Sequence, residues 1–480
     1  MQLSNYLCFE TNNKPYLFHG LTGNIVSLDE AAKELISFIE VNGVRDGDSY
    51  KLIDQQLISE VFKSYESIIK DFQDLEILTI DSDDSSKRFS HTPPSPQNTE
   101  NMPVKTLVFH LVNECNLRCT YCYADGGEYG APQKYMSKET AKQSVDYLLE
   151  HSYNEDSVTI VLFGGEPFLN WDVLKFIVEY SFAEAQKRGK KVIYSLTTNG
   201  TLLSEQKVAF LNKYSVGVSV SMDGSEEFHN KNRPFAGGQG SYQTVNKNVS
   251  RLIESERTAP VGTRVTVAKG FEEIEASLKH LISKGFYEVG FAPVTESDMS
   301  LALNEEDLKS LLEQFEEIAN VYVKHAINNE YLGFSNLTNL LRELHNGENK
   351  AYGCGAGLGF FAVSPDGGLY LCHRFNEDER FKMGDIYDGI NRTKQKELLG
   401  ELHVDNKASC QTCSLKHICS GGCYYEAMER QGDFRKPNAH YCNWMHEWIT
   451  IGLKAYVRIA EENPGFLDAI TGEKERCSSS

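Results

Sequence analysis

The chain has 480 residues, a formal net charge of −20 and twelve cysteines. Its length predicts roughly two to four domains, and the acidic balance argues against a nucleic-acid footprint. No run of about 18 apolar residues predicts a membrane span, and the opening MQLSNYLCFETNNKPY lacks the basic and apolar regions of a secretory signal. The expected compartment is therefore a reducing cytoplasm, where clustered cysteines indicate metal or redox chemistry rather than disulfides.

Residues 1–80 read as a separate module. Strands are predicted over 6–9, 15–18 and 25–28, with a turn at Leu21-Thr22-Gly23-Asn24. Amphipathic helices are predicted over 30–41, with Asp29 as N-cap, and over 55–72. Residues 81–103 are polar and rich in Ser and Pro, and read as a flexible linker.

From Lys105 a strand–helix alternation begins. Strands are predicted over 106–112, 158–163, 192–198, 216–220, 262–267 and 287–291. Helices are predicted between them, such as 138–150 (Ser137 as N-cap) and 173–188. Repeated βα units imply an α/β fold with a parallel sheet, and six of them fit an open, partial (β/α)6 barrel over 104–300. Residues 301–350 read as a helical bridge. Residues 351–445 turn Gly- and Cys-rich, with short strands near 359–363 and 368–372; so small a core is expected to be held by metal centres. The segment 446–480 reads as the end of a final amphipathic helix (444–461) and a disordered tail.

Cys115, Cys119 and Cys122 form C-x3-C-x2-C just past the first barrel strand. Chemistry in parallel α/β barrels sits at the C-terminal ends of strands. A [4Fe–4S] cubane normally takes four thiolates, so three leave one iron open, as a catalytic site requires. A structural zinc site is the competing reading; it needs a fourth ligand and usually pairs C-x2-C with a distant pair. The stretch VNECNLRCTYCYADGG resembles the signature of the radical SAM superfamily. That resemblance implies an open iron that chelates the amino and carboxylate groups of S-adenosylmethionine (SAM). It also implies electron transfer that cleaves SAM to methionine and a 5′-deoxyadenosyl radical. Tyr121 matches the aromatic position near adenine.

Gly164-Gly165-Glu166 follows the second predicted strand and resembles the family's GGE motif, which binds the amino group of SAM. Glycine allows close backbone approach, and a carboxylate pairs with an ammonium. Thr198-Asn199-Gly200-Thr201 resembles the ribose-contacting TNGT. Ser221, Asp223, Gly224, His229 and Arg233 resemble the S-x-D-G…H-x3-R pattern of peptide and sulfatase maturases; of these, Asp223 and Arg233 are expected near the cofactor. Alone, each motif is also ordinary turn chemistry.

Cys354, Cys372, Cys410, Cys413, Cys419, Cys423 and Cys442 resemble the seven-cysteine SPASM domain. The resemblance implies two auxiliary [4Fe–4S] clusters, hence three in all. Cys410, Cys413, Cys419 and Cys442 would close the distal one, and Cys354, Cys372 and Cys423 would hold the proximal one. An eighth cysteine found in some relatives is missing from GAGLGFFAV. The proximal cluster is thus expected to have an open iron, which suits a substrate thiolate, or to take a ligand from Cys8, Cys477, His373 or water. Cys8 and Cys477 read as free thiols. Sulfatase maturases usually place an Asp base directly after the Gly-x4-Cys cysteine; here His373 stands there, and it is the candidate catalytic residue.

The N-terminal module resembles the winged-helix-like PqqD-type recognition domain, which binds a leader peptide by adding it as a strand. A DNA-binding winged helix is disfavoured because acidic residues outnumber basic ones in this segment; a mere structural cap stays open. Taken together, the resemblance implies a maturase forming thioether crosslinks in a ribosomally made, Cys-containing precursor peptide, like the ranthipeptide and sactipeptide enzymes. It implies a reduced flavodoxin- or ferredoxin-type electron donor and neither nucleic acid nor membrane as partner. The alternatives are formylglycine formation, carbon–carbon crosslinking, or an iron–sulfur electron carrier, for which GGE and TNGT would have no use.

Overall fold

The computed structural model describes residues 1–47, 49–80, 99–271, 273–294 and 300–479, with side chains to residue 472. Most of the expected linker, 81–98, and the side chain of Cys477 lie outside the described residues.

Alternation organises the central sheet. In β9 (Ser157–Phe163), Val158, Ile160 and Leu162 are buried under helices, while Val161 and Phe163 face a cavity. The same period-two division recurs in β8 (Thr106–His110), β10 (Lys191–Thr198), β11 (Gly217–Ser221), β12 (Val261–Val267) and β13 (Glu288–Pro293). These six strands pair in parallel in the order β13-β12-β11-β10-β9-β8. Helices α3 (Lys138–His151), α4 (Trp171–Lys187), α5 (Glu205–Lys213), α6 (Glu226–Asn232), α7 (Tyr242–Ile253) and α8 (Ile274–Ser283) return the chain between them. Ser137 caps α3 by accepting from the Thr140 N–H at 3.0 Å, as its position predicts.

The sheet does not stop at the expected barrel boundary. β14 (Phe360–Val363) pairs in parallel with β8, and β15 (Gly368–Tyr370), β16 (Lys382–Asp385) and β17 (Gly389–Ile390) continue it antiparallel, giving ten strands. β13 and β17 are the two ends of the order, so the barrel is open. The Cys-rich segment that composition marks as a new unit therefore shares a sheet and one apolar core with the barrel. Around it lie α9 (Glu305–Ile327), α10 (Ser335–His345), α11 (Arg392–Leu402), α12 (Lys416–Cys419), α13 (Tyr424–Gln431) and α14 (Cys442–Glu462).

Two further expectations change. A helix, α15 (Pro464–Ser479), stands where a tail is expected, because Phe466, Leu467 and Ile470 bury an apolar face. The last residues of the expected linker are packed as well: Met102 is buried, and its carbonyl accepts from Arg392 at 3.2 Å.

The N-terminal module holds its own core. β2 (Tyr6–Thr11), β3 (Lys14–His19) and β4 (Ile25–Ser27) form one antiparallel sheet. α1 (Glu30–Asn42) is capped by Asp29 as expected, and α2 (Gln55–Asp74) by Asp54. A second small sheet, unforeseen, joins β1 (Gln2–Leu3), β5 (Val44–Asp46), β6 (Ser49–Lys51) and β7 (Leu78–Thr79). Phe9, Tyr16 and Phe18 leave the module's core and pack into the main one, which docks the module on the body.

Candidate functional site

The cysteine loop follows β8 and is laid down against the segment after α6. The Arg118 N–H donates to the Pro234 carbonyl at 2.9 Å, Thr120 N–H to Asn232 at 2.9 Å and Ala236 N–H to Asn116 at 3.0 Å. Arg118 also reaches back to the Cys115 carbonyl at 2.6 Å. The loop is thus templated by the H-x3-R segment, which explains why both motifs occur in one chain. Cys115 Sγ accepts from the Leu117 N–H at 3.4 Å and from Asn199 Nδ2 at 3.6 Å. Burial pushes the Cys115 thiol up to about 12 and the Cys119 thiol up to about 11, and the neighbouring Cys122 raises both further.

Gly164 and Gly165 press on this loop from β9. The Gly165 N–H donates to Val112 and the Glu166 N–H to Glu114, both at 2.9 Å. A Cβ on Gly165 would sit 2.1 Å from the Glu114 carbonyl oxygen, and one on Gly164 2.6 Å from that of Val112. Gly165→Ala is therefore expected to displace the loop, costing about 1–3 kcal/mol and more activity than stability. Thermal unfolding read beside 5′-deoxyadenosine output checks this; an alanine variant with full output would contradict it.

Glu166 is fully buried. Its carboxylate accepts from Thr198 Oγ1 at 2.9 and 3.0 Å, from the Asn199 N–H at 2.9 Å and from the Phe168 N–H at 3.1 Å. Burial pushes it up to about 7 against the opposing pull of these donors. It staples the end of β9 to the end of β10. Asn199 in turn donates to Asn116 Oδ1 at 2.9 Å and accepts from Thr201 Oγ1 at 2.6 Å. So the GGE and TNGT loops converge on the first cysteine.

On the far side, Asp223 and Arg233 form a buried two-point pair, Nε to Oδ2 at 2.9 Å and Nη2 to Oδ1 at 3.1 Å. Asp223 also accepts from the Tyr121 hydroxyl and from the Thr266 N–H at 3.0 Å. The guanidinium lies over the Tyr121 ring at 5.2 Å and acts on the Cys119 thiol. His229 is buried and neutral, its pKa lowered to about 3 by burial and by Arg233. Its Nδ1 accepts the Asp223 N–H at 3.3 Å, so its Nε2 carries the proton toward Ser241 at 2.9 Å.

The C-terminal cysteines fall into two groups by mutual influence on their thiols. Cys354, Cys372 and Cys423 form one, and Cys410, Cys413, Cys419 and Cys442 the other. The eleven described cysteines are all free. His373 lines the cavity between Phe163 and Phe360, ring centroids 5.0 and 6.2 Å away, and burial beside Arg374 lowers it to about 3.

All of this opens on one cavity of about 800 Å³ inside the half-barrel. Cys119, Cys122, Tyr121, Arg233, His373 and Arg374 line it, together with small polar residues such as Ser195, Thr197, Ser219 and Ser221. Sequence reasoning missed Arg264 and Arg374. Arg264 reaches into the cavity beside Glu288, and Gly290 leaves it room, since a Cβ there would lie 2.5 Å from Arg264 Nη1. Period-two reading of β12, with Gly262, Arg264 and Thr266 on one face, was the available signal.

Residues 110–294 match the Radical SAM superfamily. The chain carries a radical SAM domain, an α/β fold around a central parallel sheet. A cysteine-type anaerobic sulfatase-maturating enzyme of Clostridium perfringens is 24% identical over 378 residues, 75% of this chain and 98% of that one. The structure of anSMEcpe with bound AdoMet and Cp18Cys peptide superimposes with a TM-score of 0.62, 22% identity and coverage of 75% and 99%. Streptococcus suis SuiB bound to precursor peptide SuiA gives 0.51, 16%, and 92% and 99%. The chain is thus similar in sequence to sulfatase-maturating enzymes and similar in fold to SuiB.

The family implies a [4Fe–4S] cluster and SAM, and the residues fit them. Three soft thiols meet beside two N–H donors aimed at one sulfur. Burial of Cys115 and Cys119 resists ionisation until a metal takes the charge, which makes binding release protons. Among the described residues no three His, Cys, Asp or Glu side chains converge on a single-ion position. No helix among the described residues is long and apolar enough to cross a membrane.

Proposed function

We propose that this chain is a peptide maturase that forms thioether crosslinks between a cysteine sulfur and a carbon of an acceptor residue. The observation that carries the reading is the 800 Å³ cavity. It runs from the Cys115-Cys119-Cys122 loop to His373 and Arg374 beside Cys372, so a peptide side chain inside it reaches both cysteine-rich regions. Its small polar lining leaves room for backbone as well as side chain.

In this reading Cys115, Cys119 and Cys122 hold the SAM-binding cluster. Cys354, Cys372 and Cys423 hold one auxiliary cluster, and Cys410, Cys413, Cys419 and Cys442 the other, within a SPASM domain spanning 351–445. The proximal set supplies three thiolates, which leaves an iron for substrate sulfur. The N-terminal module is a winged-helix-like leader-recognition domain, and a reduced flavodoxin- or ferredoxin-type protein supplies electrons in a reducing cytoplasm.

When bound, the cluster and SAM supply a 5′-deoxyadenosyl radical that takes one hydrogen atom from the acceptor carbon. The protein's residues do the rest. The Gly164-Gly165 turn and the Asn199-Asn116 bond fix the loop that presents the open site. Asp223 and Arg233 set the plane of Tyr121, the adenine-facing ring. The half-barrel walls keep bulk water from the radical's path. Per crosslink one C–H and one S–H bond break and one C–S bond forms. One hydrogen atom leaves with deoxyadenosine, one proton goes to solvent, and one electron passes to an iron–sulfur acceptor.

The test is incubation of reconstituted, reduced protein and SAM with a Cys-containing peptide encoded beside its gene. Mass spectrometry is expected to show a loss of two hydrogens per crosslink and a cysteine resistant to alkylation. An aldehyde product, or two hydrogens lost with the cysteine still alkylated, would replace the thioether reading by formylglycine formation or carbon–carbon crosslinking.

A further inference from the structure

A buried polar bridge ties the segment that leads into Cys115 to the segment that follows Cys372, and nothing in the chemistry above uses it. Asn113, two residues before Cys115, is fully buried. Its Nδ2 donates to Glu377 Oε1 at 2.9 Å, and its Oδ1 accepts from Asn376 Nδ2 at 3.4 Å. The Glu377 side chain is only 8% exposed, and its second oxygen accepts from Lys134 Nζ at 2.9 Å. Lys134 also donates to Asp366 Oδ2 at 2.9 Å, in the turn between β14 and β15. Ser364 Oγ holds the other oxygen of Asp366 at 2.6 Å.

Both ends of the bridge have little play. Residues 134–136 lie as an antiparallel strap beside the chain that continues β8. The Asn113 N–H donates to the Lys134 carbonyl and the Met136 N–H to the Leu111 carbonyl, both at 2.9 Å, with Val112 opposite Tyr135. At the other end the Phe375 N–H donates to the Cys372 carbonyl and the Asp378 N–H to the Phe375 carbonyl, both at 3.1 Å. Glu377 is thus wound close to the cysteine. It stands at φ +64°, a left-handed conformation that a residue with a side chain rarely adopts. Glycine would make that turn without strain. Glutamate gives what glycine lacks, a carboxylate that answers Asn113 and Lys134 together, and strain held in place this way marks a functional position.

We propose that Glu377 is a positioning residue that sets the spacing between the Cys115-Cys119-Cys122 loop and the Cys372 segment. Hydrogen removal near the one is thereby followed by bond formation near the other. This role rests on the peptide-maturase reading and names the residue that couples its two steps. The cysteine loop has its own backbone bonds to Asn232, Pro234 and Asn116's partner Ala236, so SAM cleavage depends on the bridge far less than crosslinking does. Where two reacting groups must meet, a misplacement of about 1 Å costs on the order of a hundredfold in rate.

The test uses full-length, reconstituted and reduced protein with SAM and the precursor peptide. Glu377→Ala is expected to lower the crosslinks formed per 5′-deoxyadenosine at least about tenfold, with deoxyadenosine output falling far less. Glu377→Gln keeps an oxygen for Asn113 and is expected to recover part of the coupling. Lys134→Met, at a partly exposed position, is expected to uncouple more mildly, and to add nothing to Glu377→Ala, because both break one bridge. A second reading needs no turnover. Hydrogen exchange, followed by mass spectrometry without SAM or peptide, is expected to rise in residues 111–118 and 372–378 together in the alanine variant. Should Glu377→Ala fail to fold, Lys134→Met carries the same readings. An unchanged ratio, crosslinks and deoxyadenosine falling in parallel, or exchange rising on one side of the bridge only would overturn the proposal. A parent protein that cleaves SAM but forms no crosslink would refute the maturase reading alone, and the exchange measurement would still decide whether Glu377 couples the two segments.

Discussion

Replacing Cys115, Cys119 or Cys122 by alanine is expected to abolish SAM cleavage. 5′-Deoxyadenosine output should fall on the order of a thousandfold or more, because groups that act as a unit fail together. Iron should fall by about four atoms per chain while the remainder is retained, since the C-terminal cysteines form separate groups. The fold should survive: the loop is held by backbone bonds to Asn232, Pro234 and residue 236, none of which uses a thiol. Iron analysis, circular dichroism and product chromatography read the three quantities. A variant that loses its iron entirely, or keeps cleaving SAM, would contradict the assignment.

Asp223→Leu is expected to have the largest effect on stability. Asp223 is fully buried and answers three donors at once: Arg233, the Tyr121 hydroxyl and the Thr266 N–H. Leucine leaves the Arg233 charge buried without a partner, which costs about 3–5 kcal/mol. For a domain of this size that is a fall in melting temperature of roughly 10 °C. Asp223→Leu combined with Arg233→Met removes both charges and is expected to recover most of the stability, as replaced buried pairs often do. It should not recover SAM affinity, because Tyr121 then loses both the bond and the cation that set its ring. Stability and SAM binding that recover together would show the pair to be purely structural.

The parallel strands and the capped helices were legible because each has a long enough period to read. The shortest strands of the module, Gln2–Leu3 and Leu78–Thr79, are two residues each and have no period. The boundary near residue 351 misled for a different reason. Glycine and cysteine content marks a change of chemistry, but pairing of Phe360–Val363 with Thr106–His110 joins segments far apart in sequence, and local composition is blind to that. At the site, motif spacing located Cys115, Gly165, Asn199 and Asp223 correctly in one neighbourhood. It did not foresee that Glu166 ties the end of β9 to the end of β10, nor that His373 sits between two phenylalanine rings. Those roles depend on burial, which the tertiary fold decides.

The most direct test of the peptide-maturase account is hydrogen tracking. The precursor peptide is made with deuterium on the carbons of its acceptor residues and incubated with reconstituted, reduced protein and SAM, and the 5′-deoxyadenosine formed is weighed by mass spectrometry. The account expects deuterium in the deoxyadenosine in step with crosslinks formed in the peptide. Deoxyadenosine free of deuterium while the peptide still loses its hydrogens, or a peptide left unchanged, would contradict it.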